Sequence, residues 1–194
     1  MIIPAGISIT GGTGATMNVT NAYIILGDSS SKNNAANGTF TLNFKNSIAE
    51  FSKGLTFAIP TNGKTPIFNM HVTNSVLTTG TKLIASAPGC NVMLDNSIVT
   101  LTTYFRNSGK FEVLNGSVLT GNTIQFGENG GNDGELIIDA SVVTINASST
   151  GHALDGKGTG SITLKNGAEA TATYYKGMTI TTDETSKFTG SEVK

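Results

Sequence analysis

The sequence predicts an all-β fold, a parallel β-solenoid of about seven coils with 20–28 residues in each coil. Three observations predict it: a motif of alternating apolar residues recurs along the chain, its spacing varies while its pattern is kept, and no amphipathic helical pattern of useful length is present. Residues 1–194 are expected to form a single domain, because no linker divides them and their number suits one sizeable core.

The recurring motif has the form apolar, any, apolar, any, Asn, small, apolar. Its copies span residues 17–23, 42–48, 70–76, 92–98, 112–118, 136–142 and 162–168, with the last three weaker than the first four. A fixed motif at a varying distance is typical of stacked coils that differ in the length of their loops.

Alternation with a period of two identifies each copy as a strand. One face carries one apolar residue per coil: Val19, Phe44, Val72, Leu94, Leu114, Ile138 and Leu164. Two residues earlier, the same face carries Met17, Leu42, Met70, Val92, Leu136 and Ile162, with Glu112 as the exception. Because neighbouring parallel strands lie about 4.8 Å apart, we expect these residues to stack into one continuous interior.

The next residue on that face is most often asparagine, and we predict a stacked asparagine ladder there. Its members are Asn21, Asn46, Asn74, Asn96 and Asn166. Asparagine tolerates the left-handed conformation that turns a strand sharply, and stacked amides can hydrogen-bond from coil to coil. The ladder therefore predicts a corner, followed by second strands at 23–26, 76–79, 98–104, 118–125 and 142–145. Further strands are predicted at 55–59 and 82–85, before the glycine-containing loops that return the chain to the next coil.

Over about residues 7–182, this arrangement resembles the parallel β-helix of pectin-lyase-like proteins and of bacterial surface adhesin or autotransporter passenger regions. The resemblance implies a single-stranded, right-handed β-helix at an extracellular or cell-surface location, in agreement with the general preference for right-handed crossovers. It implies little about function, because these families use one scaffold for very different tasks.

Composition argues against several classes of partner. Charged residues make up 13% of the chain, the net charge is −1 and Arg106 is the only arginine, which disfavours binding to nucleic acids or to anionic membranes. No apolar run approaches the roughly 18 residues of a membrane span, and residues 1–12 do not read as a signal peptide. The single Cys90 excludes an intrachain disulfide, and neither zinc spacing nor a phosphate-binding loop is present, so no cofactor or metal is expected.

The resemblance implies where an enzyme of this scaffold would place its reactive groups, on neighbouring coils of one outer face. Lys45, Asp95 and Asp139 share an outward position there. Asp95 and Asp139 are expected two coils, or about 10 Å, apart. That separation is at or beyond the upper limit for the two carboxylates of an inverting glycosidase. The alternative is that isolated outward charges aid solubility and prevent wrong strand pairing.

Two other segments resemble functional motifs only in part. Gly151-His152-Ala153, followed by Asp155, lacks the second glycine and the paired aspartates of the family's hydrolases. The glycine-rich run at 130–134 is a single copy of a calcium-binding pattern that works by repetition. Both are interpreted as loops.

A row of threonines is the best candidate for a binding surface. Thr78, Thr100, Thr120 and Thr144 each lie three residues beyond the small motif position. If they face outward, their hydroxyls form a flat, regular strip suited to carbohydrate or even ice. The alternative is that stacked threonines are ordinary stabilisers of a sheet.

These features lead to three hypotheses for function. The first is a non-enzymatic extracellular module of a bacterial or phage surface protein, either adhesin-like or a scaffold that contacts glycans or a host surface. The second is a polysaccharide lyase or hydrolase, which would need a cleft with converging carboxylates. The third is a filament subunit that associates end to end.

Overall fold

A computed structural model describes residues 2–3, 8–11, 16–19, 24–26, 39–51, 55–57, 67–80, 82–85, 90–126, 134–147 and 154–194. Every regular element among these residues is a strand. In chain order the strands are β1 (Ile2–Ile3), β2 (Ser8–Gly11), β3 (Thr16–Val19), β4 (Ile24–Leu26), β5 (Thr39–Lys45), β6 (Ile48–Phe51), β7 (Leu55–Phe57), β8 (Ile67–Thr73), β9 (Val76–Thr79), β10 (Lys82–Ala85), β11 (Cys90–Asp95), β12 (Ile98–Asn107), β13 (Lys110–Leu114), β14 (Val118–Phe126), β15 (Glu135–Asp139), β16 (Val142–Ile145), β17 (Leu154–Lys165), β18 (Glu169–Thr182) and β19 (Lys187–Glu192).

The strands form three parallel sheets that the chain visits in turn. The first sheet contains β2, β5, β8, β11, β13, β15, the second half of β17 and the end of β18. The second contains β3, β6, β9, β16 and the first parts of β12, β14, β18 and β19. The third contains β1, β4, β7, β10, the later parts of β12 and β14, the start of β17, the middle of β18 and the end of β19. Each strand pairs with its equivalents one turn before and one turn after, so the predicted parallel β-solenoid is confirmed.

About four turns are complete, rather than the predicted seven. In the turns that begin at Cys90, Lys110, Glu135 and Ser161, all three strands lie among the described residues. The strands before Cys90 extend the same three sheets in turns that begin at Ser8, Thr39 and Ile67, with further undescribed stretches between them.

The core is a single column of stacked apolar side chains inside the three sheets. Five residues of the predicted interior row are at most 2% exposed: Phe44, Val72, Leu94, Ile138 and Leu164. They pair in register from turn to turn, as do Leu42, Met70 and Val92 two residues earlier. The alternation of the motif therefore predicts these residues correctly.

Leu114 is a wrong assignment, because Val113 takes its place in the interior row. Val113 pairs with both Leu94 and Ile138 and is fully buried, while Leu114 pairs with Asp95 on the outer face. Phe111 likewise occupies the interior position that was assigned to Glu112. The cause is one inserted residue, Gly116, which takes a φ angle of 77° at the corner of this turn and shifts the preceding strand by one position.

The first motif copy is also placed wrongly. Val19 pairs with Phe51 in the second sheet, whereas Ile9 is the residue that pairs with Leu42 in the first sheet. Residues 17–19 match the motif better than residues 8–11 do, but strand pairing depends on the lengths of the loops between them. Asn21, the first predicted ladder residue, lies outside the described residues.

A stack of buried serines builds the corner between the first and second sheets. The backbone N–H groups of Ser47, Ser75 and Ser97 each donate to the hydroxyl of the next serine in the stack, at 2.9, 3.1 and 3.0 Å. Ser117 donates in the same way to the hydroxyl of Ser141 at 3.1 Å. In the following turn the position belongs to Ala168, not Gly167, because Gly167 is a second inserted glycine with a φ angle of 75°. The serine hydroxyls therefore supply acceptors for buried backbone N–H groups at the corner.

Candidate functional site

The outer face of the second sheet carries a column of threonines that runs along the solenoid. Thr78, Thr100, Thr120 and Thr144 pair in register on successive turns. The column continues through Thr171 and Thr189. Thr120 donates a long hydrogen bond of 3.4 Å to the hydroxyl of Thr100. All six side chains are partly or fully exposed, so the hydroxyls form a regular outward row.

A column of exposed aliphatic residues lies beside the threonines, two residues earlier in each strand. Its members are Ile48, Val76, Ile98, Val118 and Val142, which are 36–56% exposed and pair in register. Scattered exposed apolar residues are ordinary on a protein surface, but a contiguous apolar patch indicates a contact site. Five β-branched side chains in one uninterrupted column form such a patch, and we name it the aliphatic column.

Asparagines of the corner border the other side of the aliphatic column. Asn74, Asn96, Asn115 and Asn166 are exposed and have φ angles between 47° and 57°. The Asn96 side-chain amide donates to the side-chain oxygen of Asn74 at 2.8 Å, and the Asn115 side-chain amide donates to the Asp95 carboxylate at 2.7 Å. These side chains lie outside the core rather than on its inner face, because the left-handed conformation at the corner turns them toward solvent. Ala140 occupies the same position with a φ angle of 48°.

The centre of this face carries no charge in either column. Four successive turns place an aliphatic residue and a threonine outward, from Val76 and Thr78 to Val142 and Thr144. Charged residues enter the columns only at their ends: Glu50 beside Ile48, and Glu169 and Lys187 after Val142. We name these four turns of aliphatic residues and threonines, with the bordering asparagines, the strip.

The candidate catalytic residues lie on a different face, the outside of the first sheet. Lys45, Asp95 and Asp139 share one column, with Leu114 between the two aspartates. The Asp139 carboxylate accepts a hydrogen bond from the Asn166 side-chain amide at 2.7 Å and forms an ion pair with Lys165 at 3.2 Å. These contacts, led by the Asn166 hydrogen bond, lower the pKa of Asp139. A general acid needs a raised pKa, so this environment suits Asp139 as a stable charge rather than as a proton donor.

The outer face of the third sheet carries a mixed polar column. Arg106, Gln125, Asp155 and Lys176 pair on successive turns. The Arg106 guanidinium donates to the side-chain amide oxygen of Gln125 at 3.1 Å. The Lys176 ammonium lies 3.6 Å from the buried Asp155 carboxylate. This column differs from the strip in that it contains three charged residues, Arg106, Asp155 and Lys176.

Other sequence candidates contribute no site among the described residues. Cys90 is buried in the core, while His152 and the glycine-rich run at 130–133 lie outside the described ranges. Within those ranges, no three His, Cys, Asp or Glu side chains are grouped closely enough to hold a metal ion. The described part of the chain also contains no helix that could cross a membrane.

The sequence interpretation missed the aliphatic column, although a signal for it was present. The last apolar position of the motif directly follows the buried serine, so strict alternation places that residue outward. Ile98, for example, lies between the buried Ser97 and the buried Val99. A β-branched residue that repeats at an outward position is the pattern that reveals an exposed apolar row.

The chain was compared with family models, curated proteins and solved structures, and none of them matches it.

Proposed function

We propose that this protein is a non-enzymatic extracellular module that contacts carbohydrate through the outer face of its second sheet. It would act as a glycan-contacting or adhesin-like scaffold of a bacterial or phage surface protein, in keeping with its resemblance to adhesin-type β-helices. The observation that carries the proposal is the uncharged pairing of the aliphatic column with the threonine column over four successive turns. Such a face offers C–H contacts and hydroxyl groups together, which is the combination that sugars present.

The environment of the candidate carboxylates supports the non-enzymatic part of the proposal. Asp139 has a lowered pKa, and Asp95 accepts a hydrogen bond from Asn115. The two aspartates lie two strands apart, about 10 Å, on a sheet face where Lys165 neutralises Asp139. Neither the separation nor the pKa direction favours a pair that divides acid and base roles.

The proposal can be tested with a glycan array combined with an assay for the release of reducing sugar. The full chain is expected to bind a subset of glycans and to release no sugar from them. The double variant Thr100→Val/Thr120→Val removes two hydroxyls from the strip with little change of shape, and it should weaken binding about tenfold.

The matched control is Thr163→Val/Thr181→Val, which removes two adjacent outward hydroxyls from the first sheet. It should bind as the unmodified protein does. Turnover of any polysaccharide would overturn the proposal in favour of a lyase or hydrolase. Equal loss of binding in both double variants would show that the threonine column is not the contact surface.

A further inference from the structure

We infer that the strip binds a single neutral, ribbon-shaped, β-1,4-linked polysaccharide chain that lies parallel to the solenoid axis. This inference rests on the proposed function and goes beyond it by naming the class of glycan, its direction and the groups that contact it. Three properties of the strip lead to it: the lateral order of its columns, its charge and the direction in which its columns run.

The lateral order of the columns is polar, apolar, polar. Asn96, at the corner, is followed two residues later by Ile98 and four residues later by Thr100 in β12, and all three side chains face solvent at least in part. The aliphatic and threonine columns are about 6.6 Å apart, the distance spanned by two residues of a parallel strand. A ribbon-shaped β-1,4-linked chain with equatorial hydroxyls has C–H groups on its flat faces and hydroxyls along its edges. Its face therefore fits the aliphatic column while its two edges meet the amides and the threonine hydroxyls.

The polar columns can bind a ligand while they keep their own hydrogen bonds. An asparagine amide has two N–H donors and an acceptor oxygen, and a threonine hydroxyl can both donate and accept. The Asn96 amide uses one of its two N–H donors in the bond to Asn74. The Thr120 hydroxyl uses its single donor in the bond to Thr100 and keeps its oxygen as an acceptor. Sugar hydroxyls can use the remaining groups without any rearrangement of the strip.

The charge of the strip favours a neutral glycan over an acidic one. The four central turns place no lysine or arginine in the aliphatic or threonine column. The carboxylates of Asp95 and Asp139 lie beside the asparagine column and accept hydrogen bonds from the side-chain amides of Asn115 and Asn166. A polyanionic chain would meet these carboxylates with no matching cation in the two central columns, whereas a neutral chain carries no such cost.

The direction in which the columns run sets the direction of the chain. Along the axis, an aliphatic residue and a threonine recur on each of the four turns, at about 4.8 Å per turn. The asparagine column accompanies them through Asn74, Asn96 and Asn115, and Ala140 takes its place in the fourth turn. A chain along the axis keeps one column beneath its face, whereas a chain across the strip would meet a different column with each sugar. Affinity is therefore expected to rise with chain length up to about four sugars, the number that four turns accommodate.

The test measures binding of the full chain to neutral β-1,4-linked glucose oligosaccharides by titration calorimetry. We expect the tetrasaccharide and the hexasaccharide to bind about equally, and each at least about tenfold more tightly than the disaccharide, because four turns accommodate about four sugars. An α-1,4-linked glucose hexasaccharide, which coils, and a hexasaccharide of galacturonic acid, which is charged, should both bind more weakly. Val118→Lys puts a charge at the centre of the aliphatic column and should weaken hexasaccharide binding about tenfold or more.

The matched control for Val118→Lys is Ile137→Lys, which changes a β-branched outward residue on the first sheet. It should leave binding unchanged, and circular dichroism checks that both variants fold. If Val118→Lys does not fold, Ile98→Ser removes apolar surface from the same column without adding a charge, and it should also weaken binding.

Each remaining outcome overturns a defined part of the inference. Affinity independent of length, or tighter binding of the coiled or acidic hexasaccharide, would overturn the inference and leave the proposed function standing. Equal effects of Val118→Lys and Ile137→Lys on binding would overturn the assignment of the polysaccharide site to the strip. An array on which no carbohydrate binds would overturn the proposed function and the inference together.

Discussion

At the corner between the first and second sheets, single residues hold the backbone in the left-handed region. Asn46, Asn74, Asn96, Asn115 and Asn166 do so at φ angles between 47° and 57°. Among residues with a Cβ atom, asparagine adopts this conformation at the smallest cost, because its short polar side chain can bond locally. The recurrence of asparagine at this corner therefore has a conformational cause that needs no catalytic role.

Replacement of Asn96 with valine should destabilise the protein by about 1–2 kcal/mol. The β-branched side chain disfavours the φ angle of 47°, and the 2.8 Å bond to Asn74 is also lost. The measurement is the free energy of unfolding in denaturant.

Asn91→Val provides the control, because it removes a comparable amide bond, 3.1 Å to Asn69, from a strand position. It should cost clearly less than Asn96→Val. Equal costs for the two variants would mean that conformation does not select asparagine at the corner.

At the scale of elements, the serine stack joins each corner to the corner of the next turn. The Ser97 hydroxyl accepts the backbone N–H of Ser75 at 3.1 Å and lies 2.8 Å from the Asp95 carbonyl oxygen. One side chain thus satisfies backbone groups of two turns in a buried position. The stack supplies acceptors for the serine N–H groups, while backbone bonds such as Ile98 N–H to the Ser75 carbonyl oxygen, at 2.9 Å, continue beside it.

Replacement of Ser97 with alanine should destabilise the protein by about 1–3 kcal/mol, because a buried N–H group of Ser75 loses its acceptor. The midpoint of thermal unfolding is a suitable measurement. Ser161→Ala, at an outward position of the first sheet, should have little effect. If both variants unfolded at the same temperature, the stack would not contribute to stability.

At the scale of the whole molecule, the three outer faces differ although they enclose one core. The first face carries ion pairs such as Lys110–Glu112 at 2.7 Å, and the third carries Arg106, Asp155 and Lys176. The second face is uncharged over its four central turns. A solenoid allows this difference because outward residues can vary without changing the inward rows.

Stability should fall as the pH decreases from about 4 toward 2. The backbone N–H of Asn166 donates to Asp183 at 2.7 Å, and this bond, with those from Ser186 and Thr185, lowers the pKa of Asp183 to about 2. The pKa of Asp139 is lowered as well. An unfolded aspartate has a pKa of about 3.9, so both groups stabilise the folded state above that value, and this stabilisation is lost as they become protonated.

The measurement is the midpoint of thermal unfolding between pH 7 and pH 2 for the unmodified protein and for Asp183→Asn. The variant should be less stable at neutral pH and should lose less stability on acidification. Glu184→Gln removes the neighbouring exposed carboxylate and should keep the pH dependence of the unmodified protein. A variant Asp183→Asn with unchanged pH dependence would contradict the assignment.

Register shows how far the sequence could be interpreted without the structure. Phe44, Val72 and Leu94 are buried as the motif predicts, because their neighbours alternate clearly. Val113 and Leu114 are both apolar, so the apolar pattern of the sequence does not reveal a shift of one residue in the strand register. Only the pairing of Val113 with Leu94 and Ile138 reveals that Gly116 is an insertion.

The candidate site was predicted in part for the same reason. The alignment of Thr78, Thr100, Thr120 and Thr144 follows from their fixed distance to the small motif residue. The strip as a whole was not predicted, because Ile98 and its equivalents were taken as part of an apolar motif rather than as outward residues. The alternation of Ile98 with the buried Ser97 and Val99 was the signal that this interpretation passed over.

The sequence by itself determined that the chain is all-β, that its strands stack in parallel and which residue types return on each turn, because these depend on local alternation and on repetition. The tertiary structure decided the register of each turn and the side of the corner on which the asparagines lie. It also decided that an aliphatic column and a threonine column share one outer face. Those features depend on loop lengths and on contacts between residues about 20 positions apart, which no local pattern records.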